Sequence, residues 1–128
     1  MEIQIILRRL GVCTTYKGYK ALVLAITLAL EDENRLNSIT REIYNEVAHQ
    51  LDSTPSAIEK NLRTVVQRAW RMNPKDLEKM AGYKLEYMPS VSEFLDILFN
   101  YIQRSRLHRK NRSCHRSATA QKYKFIRI

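Results

Sequence analysis

Residues 38–70 read SITREIYNEVAHQLDSTPSAIEKNLRTVVQRAW and predict two helices joined by a short turn. Thr54 is placed to cap the second helix, and Pro55 takes its first position, where a missing N–H costs no hydrogen bond. In the first helix, the small side chain of Ala48 lets the second helix approach closely. This layout is that of a helix-turn-helix.

The second helix of the pair has two chemically different faces. Its apolar residues recur at i, i+4, i+7 and i+11, which is typical of a helix that packs on a core. These apolar residues are Ile58, Leu62, Val65 and Ala69. The other side carries long or hydrogen-bonding side chains, namely Ser56, Glu59, Lys60, Arg63 and Gln67. Such side chains reach base edges and phosphates, so the pattern predicts a recognition helix for nucleic acid.

The rest of the chain also predicts helices. Only 3 Gly and 3 Pro occur in 128 residues, which favours an all-helical domain over a many-stranded one. Apolar periodicity and end signals predict four helices, over 2–10, 16–31, 55–71 and 74–80. A fifth predicted helix is capped by Ser38 or Thr40 and ends near Leu51. A sixth starts near residue 91. Residues 16–31 are expected to form the most buried helix. The predicted fold class is all-α, a compact bundle of about six helices that contains a helix-turn-helix.

The net charge of +9 is concentrated at the C-terminal end. Residues 1–103 hold thirteen basic and thirteen acidic residues, whereas residues 104–128 hold nine basic and no acidic ones. We therefore expect a helix-turn-helix domain over 1–104 and a basic, weakly ordered tail over 105–128. Such a tail suits contact with nucleic acid or a solvated extension that aids solubility, and the sequence leaves both open.

Several other classes of function find no support in the sequence. There is no Gly-rich phosphate loop, no nucleophile–base pair and no useful pair of carboxylates, so we expect no enzyme activity. Cys114, His115 and His108 lack the spacing of a zinc site, and we expect neither a metal nor a cofactor. The apolar run 21–30 is too short to span a bilayer, so we expect no membrane association. Two cysteines without a motif suit the reducing cytoplasm, where a nucleoid-associated protein would lie.

Several sequence blocks resemble one regulator family, the C-terminal effector domain of the sporulation stage-zero protein A of spore-forming Firmicutes. The blocks are IILRRLGV, YKGYKAL, SITREIYNEVA, SAIEKNLRTVVQRAW, AGY and SEFLDILFNYI, within residues 3–104. The resemblance implies an all-helical domain whose helix-turn-helix reads a short box similar to TGTCGAA in double-stranded DNA. It also implies binding as tandem dimers and regulation of sporulation promoters through RNA polymerase and its sigma factor.

The resemblance also implies roles for single residues. The family motif S-x-V-E-R-x-I-R stands here as SAIEKNLR over 56–63, which places Glu59, Lys60 and Arg63 at base-contacting positions. Arg63 is the strongest candidate, because a bidentate arginine–guanine contact contributes about 1–3 kcal/mol of discrimination. Glu59 either accepts from cytosine N4 or orients Arg63 as its i, i+4 partner. Contacts to the DNA backbone are expected from Lys17, Tyr19, Thr54, Ser56 and Gln67.

Three features depart from the family pattern. Lys60 stands where the family usually has arginine, and lysine lacks the planar fork, so we expect softer discrimination between bases. Ala57 replaces a basic residue, which removes a phosphate contact. No receiver domain precedes Met1, so we expect either an excised domain or a regulator that acts without that input.

Alternative functions stay open on the sequence. A helix-turn-helix can bind protein, for example a sigma factor or RNA polymerase, instead of DNA. RNA binding, or non-specific nucleic-acid binding driven by the tail, is a further alternative. In the last helix Phe94, Leu98, Phe99 and Tyr101 lie around much of the circumference, so one side is expected to be core and the surplus aromatic residues could form a dimer or tandem contact.

Overall fold

The computed structural model describes residues 2–12 and 17–114, with side chains described for 3–12 and 18–106. Within these residues every regular element is helical. The α-helices are α1 (Glu2–Arg9), α2 (Lys17–Glu31), α3 (Asn45–Gln50), α4 (Pro55–Met72), α5 (Pro74–Ala81) and α6 (Val91–Cys114). A 3-10 helix over Glu33–Ser38 and a π-helical segment over Ile39–Tyr44 join α2 to α3. The predicted all-α fold is confirmed.

The core is built around α2. Among the described side chains of this helix, only Lys20, Thr27 and Glu31 are exposed. The helix contacts α4 most extensively and also touches α1, α3 and α6. A helix that is apolar on nearly every side is stable only when other helices surround it, and each large side chain buried there contributes about 1.5–3 kcal/mol. The prediction that 16–31 forms a strongly buried helix is therefore confirmed over the described residues.

Two glycines end helices where the sequence predicts it. Gly11 has φ +85°, and the N–H of Val12 donates to the carbonyl of Leu7 at 2.8 Å, which closes α1 in a Schellman motif. Gly82 has φ +83° and ends α5, with its N–H donating to the carbonyl of Glu78 at 2.9 Å. Both positions lie in the left-handed region that favours glycine.

The start of the third predicted helix differs from the prediction. Ser38 precedes the π-helical segment without a side-chain capping bond, and Thr40 lies inside that segment, so neither residue caps the helix. The 3-10 helix before it was not predicted. It is capped by the Asp32 carboxylate, which accepts from the N–H of Asn34 at 3.1 Å. A short polar helix without apolar periodicity leaves no pattern in the sequence, and its position comes from contacts such as Arg35 Nη1 donating to the Leu28 carbonyl at 2.9 Å.

The aromatic residues of α6 turn toward the core. Phe94, Leu98 and Phe99 are buried, and Tyr101 is half-buried against the same core. Apart from the half-buried Tyr101, these residues therefore leave no surplus for the dimer or tandem contact that the sequence suggested, and self-association itself stays a prediction. Apolar residues lie on several sides of α6, because α2, α4 and α5 all pack against this helix. Its apolar pattern therefore does not single out one buried face.

Helix α6 passes without a break through the predicted domain boundary at 104–105. Its backbone is helical to Cys114. Residues 115–128, which make up most of the predicted tail, lie outside the described residues, as does Cys13. The division into a domain and a basic tail therefore stays a prediction.

The turn between α3 and α4 is closed by a residue in the left-handed conformation. Asp52 has φ +54° and is the one non-glycine residue with positive φ among those described. The N–H of Ser53 donates to the carbonyl of Ala48 at 2.8 Å, which is the defining bond of a Schellman motif. Aspartate tolerates this conformation better than most residues, but glycine adopts it without a steric cost.

We expect the substitution Asp52→Gly to raise the free energy of unfolding by about 0.5–1 kcal/mol, because it removes the Cβ from a left-handed position. Urea unfolding followed by circular dichroism measures the change. Asp52→Ala is the control, since it removes the same carboxylate but keeps the Cβ. An alanine variant as stable as the glycine variant would show that the backbone conformation is not the cause.

Candidate nucleic-acid interface

Helix α4 begins as the sequence predicts. Thr54 is extended, with φ −117° and ψ 153°, and its hydroxyl accepts from the N–H of Ala57 at 3.2 Å. Pro55 occupies the first helical position. Thr54 and Ser56 are both exposed beside the free N–H groups of the first turn. A helix start of this kind favours an anion through its N–H groups and the positive end of the helix dipole.

The two faces of α4 are separated in the structure as the pattern predicts. The buried side chains are Ile58, Leu62, Val65, Val66 and Ala69. The exposed side chains of the helix before its C-terminal residue are Ser56, Lys60, Arg63, Thr64, Gln67 and Arg71. At 3.6 residues per turn these exposed positions fall in an arc of about 100° opposite the buried stripe. The arc contains three cations and no anion, so a charge-balanced domain presents a locally basic helix face.

Glu59 borders this arc and pairs with Arg63. Its carboxylate accepts a hydrogen bond from Arg63 Nη2, and the side chains are 32% and 59% exposed. A partly exposed i, i+4 pair of this type contributes about 0.3–0.5 kcal/mol, so its effect on stability is small. Its structural effect is to restrict where the guanidinium points. The i, i+4 pairing of Glu59 with Arg63 is present in the structure, whereas the roles of Glu59 in orienting Arg63 for DNA and in contacting a base stay predictions.

The structure brings most of the predicted contact residues to one side of the molecule. Thr54, Ser56, Lys60, Arg63 and Gln67 are all exposed on α4 or at its cap. Glu59 lies half-buried at the margin of this group. Tyr19 is half-buried on α2, where it packs against the core. The side chain of Lys17 lies outside the described part of the chain.

A close approach of α2 and α4 at Gly18 holds the recognition-like helix in place. A Cβ added to Gly18 would lie 2.6 Å from the carbonyl oxygen of Asn61 and 2.4 Å from Val65 Cγ2. Real side chains do not approach so closely, so only glycine fits where these two helices cross. Asn61 is flanked by the exposed Lys60 on one side and the buried Leu62 on the other. The depth at which α4 sits on the core is therefore set at the turn that carries the candidate base contacts.

Sequence reasoning did not identify this role of Gly18. The available signal was a glycine inside an otherwise strong helix-forming segment, where glycine costs about 1 kcal/mol relative to alanine. Such a glycine usually has a packing reason. A second contact holds the other half of α4, because Arg68 Nε donates to the carbonyl of Gly11 at 3.3 Å.

A cleft of about 330 Å³ opens between α4 and the start of α6. Its polar lining consists of Thr40, Tyr44, Glu59, Arg63, Ser90 and Ser92. Ser90 caps α6 by accepting from the N–H of Glu93 at 3.1 Å, as the capping pattern SVSE suggests. Burial raises the pKa of Tyr44, and the nearby Glu59 carboxylate raises it further, while Arg63 acts in the opposite direction. The Tyr44 hydroxyl therefore stays protonated at neutral pH.

The described residues contain no group of three or more histidine, cysteine, aspartate or glutamate side chains that could hold a metal ion. No helix in that part of the chain is long and apolar enough to cross a membrane. The chemistry that the surface offers is hydrogen bonding and positive charge on α4.

The fold and this surface define a class of protein. It is a helix-turn-helix domain whose recognition-like helix packs on the core with one face and exposes a basic face to solvent. Residues 3–102 match the family model described as Sporulation initiation factor Spo0A C terminal. The match covers more than three quarters of the 128 residues. The chain belongs to this family of DNA-binding effector domains, which regulate transcription in sporulation, and the family resemblance seen in the sequence is confirmed.

We expect Gly18→Ala to lower the free energy of unfolding by about 1–3 kcal/mol, because the new methyl group collides with the backbone of α4. The sign of this change in the free energy of unfolding is informative, since replacing glycine by alanine in an unobstructed helix stabilises the fold by about 0.5–1 kcal/mol. Chemical denaturation gives the value. Lys20→Ala, on the exposed side of the same helix, is the matched control and should change stability by less than about 0.5 kcal/mol. A stabilising Gly18→Ala would refute the close contact.

Proposed function

We propose that this chain binds double-stranded DNA sequence-specifically, with α4 in the major groove, at a box similar to TGTCGAA. The observation that carries this proposal is the exposed arc of α4, where hydrogen-bonding and cationic side chains share one face. The major groove is wide enough to admit an α-helix, and its base edges distinguish all four base pairs. Reading bases in the major groove requires a recognition helix that is held in a fixed position with one face exposed. Helix α4 meets this requirement, because α2 and α6 pack against its buried face.

In this proposal Arg63 and Lys60 read guanines. Arginine donates to O6 and N7 of one guanine through its planar fork, and lysine donates to the same atoms with less geometric restriction. Glu59 accepts from cytosine N4 while it keeps the Arg63 guanidinium in position. The ion pair seen between the two side chains supports this division of roles, because it already restricts Arg63 in the free protein.

Contacts to the DNA backbone fix the register of the helix. Thr54 and Ser56 lie at the N-terminus of α4, where a phosphate is favoured, and the exposed Gln67 lies about three turns further along. Lys17 and Tyr19 are included because they match the family pattern at the start of α2. Gln67 supports this assignment by its exposure, whereas Tyr19 contributes only the polar end of a half-buried ring.

The distribution of charge suggests separate sources for specificity and affinity. Residues 1–103 carry no net charge, whereas residues 104–128 hold nine basic residues. Cations that meet phosphates release counterions and bind without regard to sequence. Discrimination between sequences then depends on a few side chains of α4, and the basic tail adds salt-dependent affinity.

The proposal extends to the partners and location of a transcription regulator. It includes tandem dimers on DNA, a contact with RNA polymerase or its sigma factor, and a nucleoid-associated position in the cytoplasm. Because α6 buries Phe94 and Phe99, we expect a protein contact to use other apolar surface. The large exposed apolar side chains among the described residues are Ile5, Met72, Tyr83, Tyr87 and Met88. Three of them lie together in the loop between α5 and α6.

A second candidate function is non-specific nucleic-acid binding by the C-terminal end alone. The observation that favours it is the concentration of the whole net charge of +9 in residues 104–128. This function needs no recognition helix and does not distinguish DNA sequences, so the two candidates differ in whether binding depends on the base sequence.

We expect Arg63→Ala to weaken binding to the TGTCGAA-like box by about 1–3 kcal/mol, with a much smaller effect on a scrambled duplex. Arg71→Ala is the matched control, because it removes the same charge from the last turn of α4 and should weaken both duplexes alike. Fluorescence anisotropy over a salt series measures both effects.

A chain that ends at residue 114 should keep its preference for the box. If the intact chain binds both duplexes equally, and the shortened chain, which lacks four of the nine C-terminal cations, loses affinity for both, the tail-driven function is correct instead.

We expect Lys60→Arg to increase the preference for the box over a duplex with one guanine replaced, because arginine adds a bidentate contact that lysine cannot make. The charge is unchanged, so the slope of affinity against salt concentration should stay the same. Competition binding with single-position variants of the box reports the preference. Thr64→Ser, a mild change on the same face, should leave it unaltered. Equal discrimination by lysine and arginine would place residue 60 away from the bases.

A further inference from the structure

We propose that the cleft between α4 and the first turn of α6 binds one phosphate of the DNA backbone, with the Tyr44 hydroxyl as a donor inside it. This inference rests on the proposed DNA binding and adds a contact at a site remote in sequence from α4. The phosphate is a phosphodiester of the strand that runs past the Arg63 side of the recognition helix.

Tyr44 is the observation that points to a ligand. The residue is only 7% exposed, and its side chain lines the cleft. Its hydroxyl makes no hydrogen bond to any residue that the structure describes. Most buried polar groups in proteins have a partner, which is another protein group, an ordered water or an ion, so an unpartnered hydroxyl that lines a cleft is open to an external acceptor. A protonated hydroxyl at neutral pH is a donor, which matches the acceptor oxygens of a phosphate.

The start of α6 supplies further donors on the opposite wall of the cleft. Ser90 and Ser92 line the cleft, and Ser90 uses its side-chain oxygen and its carbonyl to accept from Glu93 and Phe94. The N–H groups of Val91 and Ser92 come before the first internal bond of this 24-residue helix. They point out of its N-terminus together with the positive end of the helix dipole. Tyr44 and this helix start therefore present donors from two separate elements.

The charges at the cleft also favour an anion at its mouth. Arg63 and Glu59 both line it, and the Glu59 carboxylate is already paired with Arg63. The guanidinium adds positive charge beside the mouth of the cleft, because the Arg63 side chain is 59% exposed. The one anion of the cleft is thus compensated, while the other polar groups in its wall are neutral hydroxyls or N–H groups.

A DNA phosphate fits this position better than a free anion in solution. Strands that flank the major groove pass along both sides of an inserted recognition helix, and proteins use hydroxyls and helix N-termini to contact them. The cleft adjoins α4 at Glu59 and Arg63, which are proposed to face the bases. A backbone phosphate at this place would fix how far α4 enters the groove without reading sequence.

The test is the substitution Tyr44→Phe, which removes the hydroxyl and keeps the buried ring. We expect about a tenfold loss of affinity for both the TGTCGAA-like box and a scrambled duplex, since a phosphate contact is independent of sequence. Tyr101→Phe is the matched control, because it removes a hydroxyl from a half-buried tyrosine on the far part of α6, and it should bind DNA like the unaltered chain. Thermal unfolding of both variants checks that the fold is retained.

A scan of duplexes with single uncharged methylphosphonate links locates the contact. The unaltered chain should lose affinity at one phosphate where Tyr44→Phe loses none, while both proteins respond equally at all other positions. Equal responses at every position, or a Tyr44→Phe variant that binds as tightly as Tyr101→Phe, would overturn the inference although the chain binds DNA. A chain that binds neither duplex would instead refute the proposed function. Inorganic phosphate that shifts the amide signals of Val91 and Ser92, without any effect of Tyr44→Phe on DNA binding, would assign the cleft to a free anion.

Discussion

The close crossing of α2 and α4 at Gly18 is the contact on which the interface depends. A side chain at this position would meet the Asn61 carbonyl oxygen at 2.6 Å, so the two backbones approach as nearly as they do because the residue is glycine. The contact lies behind the turn of α4 that carries Lys60 and Arg63. A recognition helix needs a fixed depth to place such side chains on base edges, and here that depth is set by helix–helix packing and not by the exposed residues themselves.

Helix α4 satisfies two requirements with one sequence. Its apolar stripe attaches it to the core, and the opposite arc remains polar and basic in a domain with no net charge over 1–103. Because long-range attraction from this domain is weak, the proposed sequence-specific binding assigns discrimination between DNA sequences to the placement of a few side chains. The Glu59–Arg63 pair limits the positions of the Arg63 guanidinium in the free protein, and the phosphate contact proposed for the cleft that contains Tyr44 would limit the position of a neighbouring DNA strand.

The sequence predicted some elements well and others poorly for definite physical reasons. Thr54 and Pro55 mark the start of α4, and Gly11 and Gly82 mark helix ends, because capping depends on neighbours a few residues away. The 3-10 helix over Glu33–Ser38 has no apolar period and was missed. The sequence of α6 does not show that Phe94 and Phe99 are buried, because a helix that is apolar on several sides does not reveal how many neighbours it has.

By itself the sequence determined an all-helical fold, the helix-turn-helix, the two faces of α4 and the candidate base contacts, since all of these follow from periods and caps within a few turns of chain. Only the tertiary structure decided the rest. It placed Gly18 against Asn61, and it brought Tyr44, Arg63 and Ser92 to one cleft although 48 positions separate the first from the last. Contacts of this kind depend on how separate helices pack, and side-chain volume and backbone approach at a crossing leave no periodic pattern in the sequence.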